Sequence, residues 1–497
     1  MGLPVLERRT PAWWDASLTC LFWGAVLYAC SLTLADPDLW GHLRFGQDFW
    51  ATGQVIRTDP YSYLTAGRLW INHEWLSEAV FAAVFSRFGP LGLGILKTAV
   101  CGLTVWIGRC FLLRRGLSPL RANLLLALSL LPFIHHFGAL RPGVFSFLFF
   151  LLTLLTIHAA EAGERRALWL APLFFALWAN LHGGFLAGLG LLFLWALLRP
   201  RRLGVFLGCT LATLANPYGI RLWLFLWRTA TGPRWDILEW NPISIRTVPG
   251  AGYVALLACA ILGFALSRRR LSRTQLALWA VTALLPLLAA RHSLFFVMGL
   301  WVFAGEHIAD AWDRFHHGDA GPGARARAAL SGLHFAAAAA LVVVAWRQCS
   351  CIRMEPEVSH YPIRAVALLK ASGAHGDMVV HFDWGEYALH HLGPRVRVSM
   401  DGRRETIYSP EVYREHLDFI MGVGRWDAVL DRGRPELALV SRRFPEFNLM
   451  SGKNGWGLAY EDEESALFAR QDSPWLAALR ELARQRGPGR EPACADL

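Results

Sequence analysis

The stretch SLTCLFWGAVLYACSLTLADPDLWGH, residues 17–42, determines how the rest of the chain is organised. Its apolar run over 17–34 is long enough to cross a bilayer as a helix. The acidic segment Asp36-Pro37-Asp38 follows almost at once. A carboxylate at that place lies at the membrane surface, where it acts as a general base or binds a metal. The stretch therefore predicts an uncleaved membrane helix followed by a loop with a catalytic or metal-binding carboxylate.

Composition extends this prediction to most of the chain. Of the 497 residues, 54% are hydrophobic and only 18% are charged, and the mean hydropathy is +0.33. A soluble protein averages about 25% charged residues, so we expect a multi-spanning membrane protein. Eleven membrane helices are predicted, over 17–34, 91–113, 121–138, 143–160, 167–181, 184–198, 202–216, 251–267, 274–290, 292–309 and 330–348.

The arginines predict the orientation of these helices. If the N-terminus with Arg8 and Arg9 is cytoplasmic, every second loop holds the basic clusters, as cytoplasmic loops do. The net charge of +11 then reflects topology and contact with anionic lipids rather than nucleic-acid binding. We expect a multi-pass membrane protein with a cytoplasmic N-terminus and a C-terminal region on the outer side.

Two domains are predicted, and the fold class is mainly α. Residues 1–348 form a membrane helix bundle, whose first outer loop, 36–90, is amphipathic and aromatic-rich enough for short interfacial helices. Residues 349–497 alternate helical and strand-like segments, which indicates a small α/β domain. In an oxidising compartment, a disulfide could join two of Cys349, Cys351 and Cys494.

The unusual polar residues of the bundle fall at its predicted outer boundary. Polar groups near membrane depth are costly unless they face a cavity or each other, so their convergence indicates a binding or active site. The candidate catalytic residues are Asp38 and Asp36. The candidate substrate-binding residues are His42, Arg44, His73, Glu74, Lys97, Arg141, Asn180, His182, Glu239, Arg291 and His292.

Several candidates also have a structural explanation. Asp38 is equally a typical N-cap of a helix, and Lys97 either extends to the interface or contacts a phosphate. Arg141 and Arg291 suit lipid headgroups as well as a substrate phosphate. Asn180 and His182 could cap helix ends beside Gly183-Gly184. Glu239, which is flanked by tryptophans, could anchor the chain at the membrane interface.

Several motifs resemble those of the GT-C superfamily, the multi-spanning glycosyltransferases that include protein O-mannosyltransferases and the oligosaccharyltransferase catalytic subunit. The resemblance is carried by residues 36–46, Gly53 and Asp59-Pro60-Tyr61-Ser62-Tyr63. A narrower resemblance covers most of the chain and points to a group of bacterial membrane proteins. Its motifs are Arg141-Pro142, Trp178-Ala179-Asn180-Leu181-His182-Gly183-Gly184, Asn216-Pro217-Tyr218-Gly219, Glu239-Trp240-Asn241-Pro242, Trp384-Gly385-Glu386-Tyr387 and Asp401-Gly402-Arg403.

The resemblance implies transfer of a sugar from a polyprenyl-phosphate-linked donor to a glycan, lipid or protein acceptor at the outer face of the bacterial inner membrane. It also implies that the C-terminal domain is periplasmic. It assigns the role of base to Asp36 or Asp38, and Asp38 is favoured because it opens the predicted interfacial helix. Cations would then stabilise the departing lipid phosphate. No cofactor is expected, because the second acidic motif of the metal-dependent members has no counterpart here, where His135-His136 stands instead.

Three alternatives remain open from the sequence. An envelope polysaccharide polymerase or ligase uses the same donors but depends on arginines and histidines of a large outer loop. A transporter of lipid-linked glycans would show inverted repeats and midplane charges. A non-catalytic assembly protein would use its C-terminal domain, where Asp383, Glu386, Asp401, Arg403 and Arg404 could form a polar patch.

Overall fold

The computed structural model describes residues 11–231, 238–315, 323–354, 361–486 and Cys494. Arg8 and Arg9, on which the predicted orientation begins, lie outside the described residues. So does Trp235-Asp236-Ile237, in a second long loop, about 217–250, that the sequence predicts on the outer side.

The described chain is mainly helical, with a small sheet near its C-terminus, as the sequence predicts. Every predicted span overlaps a helix, and within the described residues six continuous helical stretches are long and apolar enough to cross a membrane, so the count of eleven stays a prediction. The helices of this region are α1 Ala12–Ser31, α2 Pro37–Thr52, α3 Trp75–Arg114, α4 Pro119–Leu130, α5 Gly143–Glu161, α6 Ala167–Leu181, α7 Phe185–Leu198, α8 Leu203–Ala212, α9 Ile220–Thr231, α10 Val248–Leu266, α11 Arg273–Leu288, α12 Ser293–Gly299, α13 Gly305–Phe315 and α14 Ala324–Cys349.

Helix α2 forms where the first outer loop begins. Asp36 caps it, since the backbone N–H of Asp38 donates to Oδ1 of Asp36 at 3.1 Å, and Pro37 occupies the first turn, where no N–H is needed. The sequence assigned the alternative capping role to Asp38, so the capping residue is the other member of the pair. All residues from Leu39 to Leu43 are buried. The first part of the helix is therefore packed against α3 and the C-terminal domain, whereas its end, from Trp50 to Thr52, is exposed.

The C-terminal domain contains a five-stranded sheet in the order β2-β1-β3-β5-β4. Strand β1 is parallel to β2 and β3, whereas β5 is antiparallel to β3 and β4. The alternation of helices and strands predicted up to Val440 is present, while the final hairpin of β4 and β5 was not predicted. The elements are α15 Ile363–Ser372, β1 Gly376–Val380, α16 Gly385–Leu392, β2 Val396–Val398, α17 Pro410–Met421, α18 Ala428–Asp431, β3 Leu437–Ser441, α19 Pro445–Ser451, β4 Trp456–Glu461, β5 Ser465–Arg470 and α20 Trp475–Arg486.

The chain returns to its first loop directly after α14. The backbone N–H of Arg353 donates to Thr33 at 2.9 Å, and that of Ala35 donates to Arg353 at 2.8 Å. A disulfide joins Cys351 to Cys494, one of the pairings that the sequence left open. The start and end of the C-terminal domain are thus both fixed beside the end of α1.

A buried arginine joins the first outer loop to the C-terminal domain. Arg403 donates to Asp59 of the loop at 2.7 Å and to Asp401 of its own domain at 2.7 and 2.8 Å. Its guanidinium also lies over three aromatic rings of the loop and α2, those of Phe45, Tyr61 and Trp70. The side chains of Arg403, Asp59 and Asp401 are at most 4% exposed, so this ion network is shielded from water.

Replacement of Arg403 by Met tests this network. The two carboxylates would stay buried without their cation, and breaking a buried ion pair on one side costs about 3–5 kcal/mol. We expect a clear fall in the thermal unfolding midpoint of the full chain in detergent. The matched control is Arg443→Met, since Arg443 pairs with Glu464 in an exposed position and its loss should change little. Equal destabilisation by the two variants would contradict the role given to Arg403.

Candidate active site

Nine of the predicted site residues meet where α2, α3, α5 and α6 begin or end. Contacts of 4.0 Å or less connect them in two groups, one around Arg141 and one around Glu74. The residues brought together are Asp36, Asp38, His42, His73, Glu74, Arg141, His182, Glu239 and Arg291.

The two aspartates have different surroundings. Oδ2 of Asp36 lies 2.6 Å from Nη2 of Arg141, and its other oxygen caps α2, so the side chain is only 11% exposed. Asp38 lies 3.8 Å from the same nitrogen and is 39% exposed. Enclosure by protein atoms and then the charge of Asp36 raise the pKa of Asp38 to about 6, although Arg141 opposes this. Asp38 is thus the accessible carboxylate of the pair, with a pKa suited to proton transfer near neutral pH.

Two arginines on neighbouring elements share one carboxylate. Nη1 of Arg141 donates to both oxygens of Glu239 at 3.2 Å, and Nη1 of Arg291 lies 3.3 Å from Oε1 of Glu239. Arg291 also lies over the ring of Trp240, 4.5 Å from its centroid. Burial opposes the charge of Arg141, but Asp36, Asp38 and Glu239 raise its pKa above the ordinary value. Burial lowers the pKa of Arg291, and the charge of Glu239 opposes this shift. Arg141 therefore stays charged and faces the same region as Asp38.

His42 connects the aspartates to the second group. Its Nδ1 lies 3.3 Å from Glu78, and its Nε2 lies 4.0 Å from Glu74. Burial alone would lower the pKa of His42, but the hydrogen bond to Glu78 and the charges of Glu74, Glu78 and Asp38 raise it to about 9. His42 is therefore a cation at neutral pH and offsets part of the negative charge around α2.

His182 is held in one tautomer. The backbone N–H of Gly184 donates to its Nδ1 at 3.0 Å, so the ring proton of the neutral form lies on Nε2, 3.5 Å from Glu74. Burial lowers the pKa of His182 to about 4, which keeps the ring neutral. A protonated Nε2 is not a metal ligand. Among the residues that the structure describes, no group of three or more His, Cys, Asp or Glu side chains could hold a metal ion.

Four predicted residues are placed outside these two groups. The ammonium of Lys97 is buried and donates to the carbonyls of Leu32, Phe137 and Gly138. It therefore satisfies backbone carbonyls at the ends of helical segments inside the bundle.

Asn180 accepts from the indole of Trp75 at 2.9 Å and donates to two backbone carbonyls. Arg44 donates to Asp48 at 2.9 Å and to the carbonyl of Gly393 at 2.8 Å. Nδ1 of His292 lies 3.4 Å from the carbonyl of Leu285. These three side chains have neighbours that suit structural roles.

The C-terminal domain adds residues that the sequence did not place beside the aspartates. Oε2 of Glu386 accepts from the backbone N–H of Gly41 in α2 at 3.1 Å. Gly402 lies against both Asp38 and Glu386. The sequence predicts a polar patch around Glu386 and Asp401, but confines it to the C-terminal domain. The narrower resemblance groups these motifs with those of the helix bundle, and this grouping was the signal that could have indicated a shared site.

Comparison with known proteins leaves the family open. No protein-family model and no curated protein matches the chain. Among solved structures, the chain is similar to the crystal structure of ArnT from Cupriavidus metallidurans bound to undecaprenyl phosphate. The identity is 12% and the TM-score is 0.49, with 90% of this chain and 96% of that chain covered. Nothing about the site follows from a likeness at this level.

The raised pKa of His42 predicts how stability depends on pH. A group whose pKa rises from 6.5 to about 9 on folding stabilises the fold fully below pH 6.5, and this contribution disappears as the pH passes about 9. We expect His42→Gln to lower the unfolding midpoint at pH 6 and to differ much less from wild type at pH 9.5. His375→Gln, at an exposed histidine, is the control. A difference that does not change with pH would contradict a protonated His42.

Proposed function

We propose that the chain transfers a sugar from a polyprenyl-phosphate-linked donor to an acceptor at the outer face of the inner membrane. The observation that carries the proposal is the position of Asp38, a partly exposed carboxylate beside Arg141 at the end of an apolar helix bundle. The resemblance of the first loop to GT-C transferases supports the same reaction.

The proposed step needs a base and a cation on opposite sides of one carbon. As the acceptor oxygen forms its bond to the anomeric carbon, its proton passes to Asp38, and the bond from that carbon to the phosphate oxygen breaks. The lipid phosphate leaves with the negative charge, which Arg141 and Arg291 would stabilise. Asp36 is less suited to be the base, because it is committed to Arg141 and to the cap of α2.

Two features support an extracytoplasmic position for the site. The disulfide between Cys351 and Cys494 belongs to the same domain as Glu386, and disulfides persist in oxidising compartments such as the periplasm. The arginine-rich loops alternate with the loops that carry the site, as the distribution of positive charge in membrane proteins requires.

Binding of the donor phosphate would break the ion pairs of Glu239 with Arg141 and Arg291. Its carboxylate bridges Arg141 and Arg291, the arrangement that a phosphate would also make. The side chain is 37% exposed, so it can turn toward solvent once the arginines release it. We therefore expect the donor phosphate to replace Glu239 between the two arginines.

Turnover by Asp38 variants tests the base assignment. The full chain, reconstituted in vesicles, is assayed with a panel of undecaprenyl-phosphate sugars and candidate acceptors. Asp38→Asn should lower turnover by about 10²–10⁴-fold, the usual contribution of a general base. In the wild type, the rate should rise as the pH passes about 6, because the base must be ionised.

The control for this assay is Asp383→Asn, at an exposed aspartate of the C-terminal domain, which should leave turnover unchanged. Wild-type turnover by Asp38→Asn would exclude Asp38 as the base. It would favour the polymerase or ligase alternative, which depends on arginines and histidines.

Binding of undecaprenyl phosphate tests the exchange at Glu239. Glu239→Gln removes a competing negative charge from both arginines, and a partly exposed ion pair contributes at most about 1 kcal/mol. We expect the dissociation constant to fall by about two- to fivefold, measured by titration of the full chain in detergent. Glu461→Gln, on β4, is the control. Weaker binding by Glu239→Gln would mean that Glu239 contacts the ligand instead of competing with it.

A further inference from the structure

We infer that Glu386 of the C-terminal domain is a positioning residue of this site: it keeps a proton, holds α2 at Gly41, and forms with Asp38 a pair that carries a single negative charge. The pairing follows from the contacts of the two carboxyl groups. Its consequence for turnover rests on the proposed function.

The carboxyl groups of Glu386 and Asp38 both lie against Gly402. Oε2 of Glu386 accepts from the N–H of Gly41, and a Cβ at position 41 would collide with the carboxyl group. On the other side, a Cβ at Gly402 would stand 2.6 Å from Oδ1 of Asp38 and 2.8 Å from Oε1 of Glu386. Two glycines, one from each domain, therefore make room for the Glu386 carboxyl and bring it beside Asp38.

The charges around Glu386 are mostly negative. It faces Asp38 from α2, Glu78 from α3, and Asp401 and Arg403 from the turn after β2. Arg403 is already bonded to Asp401 and Asp59. A carboxyl group that is only 5% exposed and accepts from a neutral N–H gains little by ionising among three acids. Burial, and then the charge of Asp38, raise the pKa of Glu386 well above its usual range.

The charges around Asp38 are more balanced. It faces Arg141 and His42 as cations, against Asp36 and Glu74, and its side chain is 39% exposed. Of two adjacent carboxyl groups, the one with water and a cation nearby ionises first. Asp38 therefore takes the negative charge and Glu386 takes the proton. A second charge on Glu386 would repel Asp38 and remain buried.

Unfolding of the full chain in detergent, measured from pH 5 to pH 9, tests the pairing without any substrate. A carboxyl group whose pKa is raised on folding makes the fold less stable as the pH rises above 4.5, because the unfolded chain then loses a proton that the folded chain keeps. Glu386→Gln is neutral at every pH and still accepts from Gly41. We expect it to match wild type near pH 5 and to unfold at a higher temperature at pH 8.

A double-mutant cycle isolates the contribution of Asp38. In the Asp38→Asn background, Glu386 ionises more easily, so the gain from Glu386→Gln at pH 8 should shrink. Glu411→Gln, at an exposed glutamate of α17, should show no pH-dependent gain. If Glu386→Gln lowers the midpoint at pH 8 as much as Glu386→Ala does, Glu386 is ionised and the inference is wrong. An undiminished gain in the Asp38→Asn background would also overturn the pairing.

Turnover tests the positioning role. We expect Glu386→Ala to lower turnover and Glu386→Gln to restore it. In the wild type the rate should fall at alkaline pH as Glu386 loses its proton, and Glu386→Gln should resist this fall because it has no proton to lose. Gly402→Ala should lower turnover strongly, because its Cβ would push the two carboxyl groups apart. Strong inhibition by Glu386→Gln with an unchanged pH profile would contradict the role. Absence of turnover in the wild type would count against the proposed function alone, since the unfolding cycle still decides the pairing.

Discussion

The ion network of Arg403 is the contact on which the arrangement of the site depends. Its guanidinium joins Asp59 of the first outer loop to Asp401 of the C-terminal domain, in a place shielded from water and enclosed by aromatic rings. Gly402 lies between Asp401 and Arg403 in the chain, so fixing these two residues also fixes Gly402 against Asp38. One buried cation thereby sets the distance between two domains and completes the surroundings of the candidate base.

Charge balance explains how so many acids coexist at one end of a helix bundle. Asp36, Asp38 and Glu239 surround Arg141, whereas Glu74 and Glu78 flank a protonated His42. The cation that faces Glu386, Arg403, is already bonded to Asp401 and Asp59, and a proton on Glu386 takes the place of a counter-ion. The result is a cluster in which the accessible charge lies on Asp38 and on the arginines that face it. This is the distribution that a transfer with an anionic leaving group requires.

Much of this could be predicted from local sequence. Apolar length indicates helices such as α5 and α10, and an acidic pair after an apolar run indicates a surface site such as that of Asp36 and Asp38. The contact of Glu386 with Gly41 spans 345 residues and depends on how the domains dock, which no local pattern encodes. The sequence predicted that Lys97 reaches the interface or contacts a phosphate. Its actual partners are backbone carbonyls of other helical segments, which the local sequence does not reveal either.

A structure of the full chain with undecaprenyl phosphate bound, determined by electron cryo-microscopy, tests the central claim most directly. The account predicts the phosphate between Arg141 and Arg291, with Asp38 facing it, Glu239 turned away, and Glu386 still bonded to Gly41. A phosphate bound elsewhere, with Glu239 still bridging the two arginines, would contradict it.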